Sequence, residues 1–219
     1  MNAALRPDLA LICDWIAPGA RILDLGCGDG ALLAHLAHTR GVRGYGLEID
    51  AEEVAAAVAR GVNVIQADID EGLADFADGS FDYVVMTQAL QALARPDRAL
   101  AEMLRVGREA IVTFPNFGHW RARLALARGR MPVTPALPAA WYETRNIHLC
   151  TVADFEALCR ERGWPVLERA LLDRAHRRGP AIALFPGLFC EIALYKLGRP
   201  RAAPQGGSAA SATDSLART

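Results

Sequence analysis

The stretch Ile22-Leu23-Asp24-Leu25-Gly26-Cys27-Gly28-Asp29-Gly30 runs from an apolar strand into three alternating glycines. Residues 31–39, which follow it, have the pattern of a helix. Glycines at such a turn permit positive φ angles and a close approach of the backbone to a ligand, and the helix N-terminus offers unpaired N–H groups. The stretch therefore predicts a strand, a ligand-binding turn and a helix in succession.

Strand and helix patterns alternate on both sides of this turn. Helices are predicted over 5–16, 31–39, 51–60 and 96–106, and strands over 21–25, 44–48, 62–65, 81–87 and 110–114. This alternation predicts an α/β fold, a doubly wound and mostly parallel sheet in a Rossmann-like three-layer sandwich.

The second part of the chain is less regular. We expect a helix over 120–128, a long loop over 131–146, a helix over 151–162 and strands over 166–172 and 189–197. We predict a single domain over 1–198, followed over 199–219 by a disordered tail, because Pro, Gly, Ser and Ala dominate the tail.

Charge is divided unevenly along the 219 residues. Residues 1–94 carry 14 Asp and Glu against 5 Arg, whereas residues 95–219 carry 11 Asp and Glu against 19 Lys and Arg, so that the net charge is only −1. The division fits either an anionic partner on the basic side or a dipole neutralised within the fold.

Cysteine usage and hydropathy indicate the cellular compartment in which the chain works. Its five cysteines show no C-x-x-C pair or Cys/His spacing, so we expect neither disulfides nor a metal site. The start lacks a signal-peptide pattern, and the apolar stretch 181–197 is interrupted and too short to span a bilayer. We expect a cytoplasmic protein without membrane contact.

Acidic residues at the glycine turn indicate which ligand it binds. Asp24 and Asp29 would lie beside a pyrophosphate and repel it, and a helix dipole contributes only about 0.3–1 kcal/mol in compensation. A cationic ligand is favoured instead. S-adenosylmethionine carries an ammonium and a sulfonium group and therefore suits this turn.

Two more acidic residues stand at the ends of the next strands. Glu48 can accept hydrogen bonds from ribose hydroxyls, and Asp68 can accept from an adenine amino group while Ile69 packs on the ring. The predicted cofactor-binding residues are Asp24, Gly26, Cys27, Gly28, Gly30, Glu48, Ile49, Asp68 and Ile69.

With Phe81-Asp82-Tyr83-Val84-Val85, these residues resemble the class I S-adenosylmethionine-dependent methyltransferases. The resemblance covers about residues 15–197. It implies a seven-stranded sheet with an antiparallel last strand and a cofactor, S-adenosyl-L-methionine or S-adenosyl-L-homocysteine, at the carboxyl ends of the first strands. It does not by itself imply methyl transfer.

Other segments are similar to the MetW family of methionine biosynthesis proteins. They are Gly44-Tyr45-Gly46-Leu47-Glu48-Ile49-Asp50, residues 59–66, Met103-Leu104-Arg105-Val106-Gly107-Arg108, Pro115-Asn116-Phe117-Gly118-His119-Trp120 and residues 146–151. This resemblance runs from about Leu5 to Gly198. It implies a partner of homoserine O-acyltransferase that supports the acylation of homoserine.

A catalytic residue is not assigned by the sequence. The candidates nearest the expected cofactor mouth are Gln88 after the fourth strand and Asn116, His119 and Trp120 after the fifth. His119 suits a general base but also a packed or interface residue. Trp141 and Tyr142 suit a substrate pocket, a docking face or a packed lid.

The basic half contains a run of arginines, for which nucleic acid and protein partners are the two readings. Because the aromatic residues are not interleaved with the arginines as a base-stacking platform needs, a protein partner is favoured. Three hypotheses remain: an accessory partner of homoserine O-acyltransferase, a small-molecule methyltransferase, and an RNA-binding or RNA-modifying protein. The arginines are Arg105, Arg108, Arg121, Arg123, Arg128 and Arg130.

Overall fold

The computed structural model describes residues 7–134, 138–143 and 148–200. Seven strands alternate with helices along the chain. The strands are β1 (Arg21–Leu25), β2 (Arg43–Glu48), β3 (Val64–Gln66), β4 (Phe81–Thr87), β5 (Gly107–Pro115), β6 (Val166–Leu172) and β7 (Ile192–Gly198). The helices are α1 (Pro7–Trp15), α2 (Ala31–Arg40), α3 (Ala51–Ala59), α4 (Pro96–Val106), α5 (Trp120–Ala127), α6 (Val152–Arg162), α7 (Pro180–Leu184) and α8 (Pro186–Phe189).

The strands form one sheet in the order β3-β2-β1-β4-β5-β7-β6. All neighbours pair in parallel except β7, which runs antiparallel to both β5 and β6. This confirms the predicted α/β class and the antiparallel last strand. The order reverses direction at β1, so the carboxyl ends of β1 and β4 flank a crevice of the kind in which open α/β sheets bind ligands.

Side chains of alternate residues fill a core on each face of the sheet. Leu23 and Leu25 belong to one buried cluster, and Ile22 belongs to the other, together with residues of α1 and α2. Because side chains alternate along a strand, Asp24 lies on the same face as Ile22. The sheet therefore carries a carboxylate into an otherwise apolar layer.

The segment before β7 differs from the prediction. The chain forms the short helices α7 and α8 over 180–189, and the last strand begins at Ile192 rather than at residue 189. Pro180 and Pro186 each occupy a first-turn position, where the missing N–H costs nothing and the fixed φ favours a helix. The apolar composition of this segment does not by itself indicate that helices begin at these prolines.

Most of the predicted tail lies outside the described residues. Arg199, however, donates hydrogen bonds to the carbonyls of Leu104 (2.8 Å), Gly107 (2.9 Å) and Arg105 (2.7 Å). The guanidinium thus satisfies carbonyl groups at the end of α4, and the folded domain extends to Arg199. Within the described ranges, no helix is both long and apolar enough to cross a bilayer.

Candidate cofactor site

The glycine turn joins β1 to α2 at the crevice. Gly26, Gly28 and Gly30 have φ angles of 69°, 53° and 74°, which an L side chain rarely adopts. The turn is held to the end of β2, because the N–H groups of Gly26 and Cys27 both donate to Leu47 O, at 2.8 and 3.1 Å. The three glycines are therefore required by the backbone path itself.

Close packing adds a second requirement at two of these positions. A Cβ added at Gly30 would lie 3.0 Å from Val62 Cγ2, and one added at Gly26 would lie 3.3 Å from Ala89 Cβ and 3.9 Å from Ile69 Cδ1. Ile69 follows β3 and Ala89 follows β4. The segments that follow β3 and β4 thus reach the turn, and the packing of Ile69 on an adenine ring stays a prediction.

Asp24 is the most unusual group of the site. It is 1% exposed, and its Oδ1 accepts no hydrogen bond within the described part of the chain. Burial, and to a lesser degree the nearby Glu48 carboxylate, raises the pKa of Asp24 from 3.8 to about 7. Since a buried carboxylate without a partner is costly, the position is suited to a cationic ligand.

Glu48 ends β2 and holds the glycine turn. Its Oε2 accepts from Gly28 N at 2.9 Å, and its Oε1 accepts from Ile49 N at 2.9 Å and Asp50 N at 3.0 Å. The carboxylate therefore links the turn to the start of α3. The sequence predicted a ligand contact for Glu48 but gave no sign of this second role.

The remaining predicted binding residues lie around the same edge. Asp68 is half-buried, and its Oδ1 accepts from Asp70 N at 2.9 Å, which starts a 3-10 turn that also contains Ile69. Ile49 is 60% exposed. Ala67 N donates to Glu48 O at 3.0 Å, so Asp68 emerges beside the end of β2.

Cys27 packs inside the turn rather than facing a ligand. A Cβ on Gly46 of β2 would lie 2.3 Å from Cys27 Sγ, so the glycine makes room for the thiol. Burial and the neighbouring carboxylates of Asp24 and Glu48 raise the pKa of Cys27 to about 12, which keeps it protonated. Gly46 was missed by the sequence analysis, although a glycine inside a strand is a signal of close approach.

Asp29 of the glycine turn forms an ion pair with Arg60, which the sequence did not predict. Asp29 accepts from Arg60 at the end of α3 and from Ala31 N at 3.1 Å. Asp29 therefore caps α2 and is neutralised by a cation. Asp24 and Glu48 form no such ion pair within the described part of the chain.

Asn116, one of the candidates for catalysis, is occupied by structural hydrogen bonds. Its Nδ2 donates to Gly187 O (3.3 Å) and Cys190 O (2.8 Å), while its Oδ1 accepts from Gly118 N (3.0 Å) and Val152 N (3.2 Å). These bonds use both donors and both lone pairs of the amide. The side chain joins β5 to α6 and α8.

Gln88 directly follows β4 and has a strained conformation. Its φ is 55°, which is uncommon for a residue other than glycine, and its N–H donates to Thr113 O and Oγ1, both at 3.0 Å. Its amide nitrogen lies 3.4 Å from Asp8 Oδ2. Such strain is found at functional sites when the surroundings enforce it, so Gln88 stays a candidate.

His119 is buried and caps α5. Its Nδ1 accepts from Arg121 N at 3.4 Å, so a neutral ring carries its proton on Nε2. Burial lowers the pKa of His119, and Glu191 opposes this effect. The ring is therefore neutral near pH 7, the state in which a histidine accepts a proton.

The aromatic pair Trp141 and Tyr142 is not packed. The side chains are 71% and 69% exposed, and their rings meet edge to face with centroids 5.6 Å apart. The lid interpretation is therefore unsupported by the structure. In the described residues, no three His, Cys, Asp or Glu side chains are grouped as metal ligands.

Solved structures with the same fold include methyltransferases. A putative methyltransferase in complex with the Trm112 methyltransferase activator of Haloferax volcanii matches with a TM-score of 0.63 at 20% identity, over 88% of this chain and 89% of that one. Phosphoethanolamine N-methyltransferase 2 of Haemonchus contortus, in complex with S-adenosylhomocysteine, matches with a TM-score of 0.65 at 15% identity, over 89% and 52% of the two chains. At these identities the likeness concerns the fold, and it confirms the class I methyltransferase-like architecture.

Sequence relationships are more specific. The bifunctional methionine biosynthesis protein MetXA/MetW of Rhodopirellula baltica is 38% identical over 167 residues, which are 72% of this chain and 27% of that protein. This chain therefore matches about a quarter of the length of that relative. The family model of the methionine biosynthesis protein MetW matches residues 6–197 and confirms the predicted resemblance. The chain thus belongs to the MetW family and has a role in methionine biosynthesis.

Proposed function

We propose that this MetW-family protein binds S-adenosylmethionine or S-adenosylhomocysteine and acts as an accessory partner of homoserine O-acyltransferase. The observation that carries the cofactor proposal is Asp24, a buried carboxylate whose Oδ1 has no partner among the described residues, beside the glycine turn. An ammonium group would supply the missing partner and hold Asp24 in its charged form.

The residues around Asp24 fit the rest of this cofactor. The turn has no room for side chains at Gly26 and Gly30, as expected where a ligand and neighbouring strands approach the backbone. Glu48 retains accepting capacity, because three backbone N–H groups use three of about four lone-pair positions of a carboxylate. When bound, S-adenosylmethionine would bring an activated methyl group, while the chain's own residues bind and orient it.

The ribose assignment is tested with Glu48→Ala. We expect the affinity for S-adenosylhomocysteine, measured by calorimetry, to fall by about one to two decades, because a charge-assisted hydrogen bond is worth about 1.5–3 kcal/mol. Glu52→Ala, an exposed glutamate on α3, is the matched control. The 2′-deoxy cofactor should lose less affinity in Glu48→Ala than the natural one. Equal losses would mean that Glu48 acts through the turn instead of the ribose.

The partner proposal rests on the family and on the bifunctional relative. A chain that carries MetXA and MetW together supports the idea that the two parts act together when they are separate proteins. Exposed aromatic residues mark interaction surfaces, and Trp141 with Tyr142 provides such a surface. We infer that this pair contacts the acyltransferase.

Co-expression with homoserine O-acyltransferase tests the partnership. We expect a co-purifying complex with a raised rate of homoserine acylation, and a weaker complex with the double variant Trp141→Ala/Tyr142→Ala. Tyr45→Ala, which removes a tyrosine that is 46% exposed on β2, serves as the control. Absence of both co-purification and a rate change would refute the partnership. The same assay with added S-adenosylmethionine tests whether the cofactor regulates acylation.

A small-molecule methyltransferase is the second candidate. The neutral His119 favours it, because a methyl acceptor that must lose a proton needs a base. Transfer of label from methyl-labelled S-adenosylmethionine to homoserine-pathway metabolites would support this function. We expect the reactions to take place in the cytoplasm, since all five cysteines are free thiols.

A further inference from the structure

A cavity of about 320 Å³ lies where α5 begins and β7 starts. The residues that line it include His119, Trp120, Arg121, Arg174 and Glu191. None of the predicted cofactor-binding residues lines it. Its volume is at the lower end of the range of about 300–1,000 Å³ that is typical of ligand pockets, which indicates a small molecule.

Glu191 places a buried negative charge at this cavity. The residue is 6% exposed, and its Oε1 has no hydrogen-bond partner among the described residues. Its backbone is held on both sides, since its N–H donates to Leu172 O at 2.8 Å and its carbonyl accepts from Asn116 N at 2.9 Å. Because buried charges are normally paired, a cationic group is missing at Glu191.

His119 does not supply that cation. Burial lowers the pKa of His119 despite the influence of Glu191, so the ring is neutral near pH 7. The carboxylate of Asp173, which also lines the cavity, already accepts from Ala175 N at 2.8 Å and Arg177 N at 2.9 Å. Both bonds fall on Oδ1 of Asp173, and its Oδ2 lies 3.6 Å from Nη2 of Arg177. Glu191 differs in that it is buried and its Oε1 has no hydrogen-bond partner among the described residues, so a ligand in the cavity would gain most by pairing with Glu191.

Positive charge is available at the same cavity. Arg121 and Arg174 are exposed, and neither makes an ion pair with a carboxylate in the described parts of the chain. The guanidinium of Arg121 lies 5.3 Å from the ring centroid of Trp120, which keeps it beside the cavity. One buried anion and two exposed cations thus share a small volume.

We propose that this cavity binds a small α-amino acid, with its ammonium group toward Glu191 and its carboxylate toward Arg121 and Arg174. A zwitterion matches both charges at once, whereas a simple amine leaves the arginines unused and a simple acid leaves Glu191 unpaired. Guanidinium groups suit a carboxylate because they can donate two parallel hydrogen bonds. The inference is independent of the cofactor, because the two sets of residues do not overlap.

Calorimetry on the unmodified full chain tests the ligand class. L-homoserine and L-methionine are the probes, each compared with its decarboxylated amine and its N-acetyl derivative. We expect at least one amino acid to bind, and both of its derivatives to bind about tenfold more weakly or worse, since each lacks one charge. Absence of binding at millimolar concentration, or equal binding of a derivative, would overturn the proposal.

Variants test the location. Glu191→Gln should weaken binding of the amino acid by about tenfold or more, whereas Glu161→Gln, an exposed glutamate on α6, should leave it unchanged. Arg174→Ala should weaken binding and the nearby exposed Arg178→Ala should not. Unchanged affinity in Glu191→Gln would overturn the proposal, as would competition by S-adenosylhomocysteine, which would assign the amino acid to the cofactor site.

Folding of Glu191→Gln is itself informative. Glutamine has nearly the shape of glutamate, so a folded variant that has lost affinity reports the loss of the carboxylate rather than a loss of packing. If this variant does not fold, the NMR resonance of the Trp120 indole N–H in the unmodified protein provides the readout. That signal, assigned by Trp120→Phe, should shift on addition of the amino acid, and an unmoved signal would contradict the location.

Discussion

Asp24→Asn is the substitution whose effect follows most directly from the structure. Burial raises the pKa of Asp24 from 3.8 to about 7, so the folded protein binds this proton more tightly than the unfolded chain does. The contribution of Asp24 to stability is therefore greatest at low pH and is lost as pH rises toward 7. Asparagine keeps the shape of the side chain but has no charge to bury.

The magnitude comes from the difference between the two pKa values. At about 1.4 kcal/mol per pKa unit, an ionised Asp24 costs the free protein about 4 kcal/mol above pH 7. Between about pH 5 and pH 7 that cost grows by about 2 kcal/mol. Asp24→Asn should therefore be more stable than the unmodified protein near pH 8, and the advantage should shrink markedly near pH 5.

Urea unfolding near both pH values measures this difference. Groups remote from Asp24 titrate alike in the two proteins, so the change in their stability difference with pH reports Asp24 together with its coupling to the neighbouring Glu48 and Cys27. Asp75→Asn, an exposed aspartate, is the control and should show no pH-dependent advantage. The same stabilised variant should lose affinity for S-adenosylhomocysteine, because its ammonium group would no longer meet a carboxylate.

Two results would refute this reasoning. A stability difference that is independent of pH would show that Asp24 is ionised in the free protein without penalty. Retained cofactor affinity in a properly folded Asp24→Asn would show that the carboxylate is not the ammonium partner. In the unmodified protein, affinity for S-adenosylhomocysteine should rise about eightfold from about pH 6 to about pH 7.5, because the ionised fraction of a group with a pKa of about 7 rises by that factor.

Three further substitutions test the packing of the site by chemical denaturation. Gly46→Ala should destabilise the protein by about 1–3 kcal/mol because its Cβ would meet the thiol of Cys27, and Cys27→Ala should restore part of the loss. Gly30→Ala should cost more than Gly19→Ala, since both have positive φ but a Cβ at Gly19 meets nothing within 4 Å; equal costs would mean that packing is irrelevant. Arg105→Ala should cost about 2–4 kcal/mol through its lost charge-assisted hydrogen bonds, and a loss below 1 kcal/mol would contradict their role.

Much of the fold could be predicted from local signals. β1, β4, α4 and β6 have the bounds that the apolar patterns predicted, because each is delimited by glycine, proline or a capping residue. The start of β7 was misjudged, since an apolar run does not distinguish a short buried helix from a strand. Pro180 and Pro186, which start α7 and α8, were the signal for helices in this segment.

The site was predicted less completely than the fold. The sequence placed Asp24, Glu48 and Ile69 at adjacent strand ends, and the structure brings all three to the glycine turn. The sequence did not reveal that the side-chain amide of Asn116 is fully hydrogen-bonded within the fold, for example to the carbonyl of Cys190, 74 positions away. A hydrogen-bond partner so distant in sequence leaves no local pattern.

The sequence by itself determined most of the succession of strands and helices along the chain, the glycine turn and the types of residues at the strand ends, because periodicity and turn chemistry act over a few residues. Only the tertiary structure decided how those residues behave. Asp24 has an elevated pKa because helices cover its face of the sheet. Glu191 is buried because Leu172 of β6 and Asn116 after β5 hold its backbone, and its Oε1 has no hydrogen-bond partner among the described residues. Burial and charge pairing depend on segments far apart in the chain, so they arise only when the sheet is assembled.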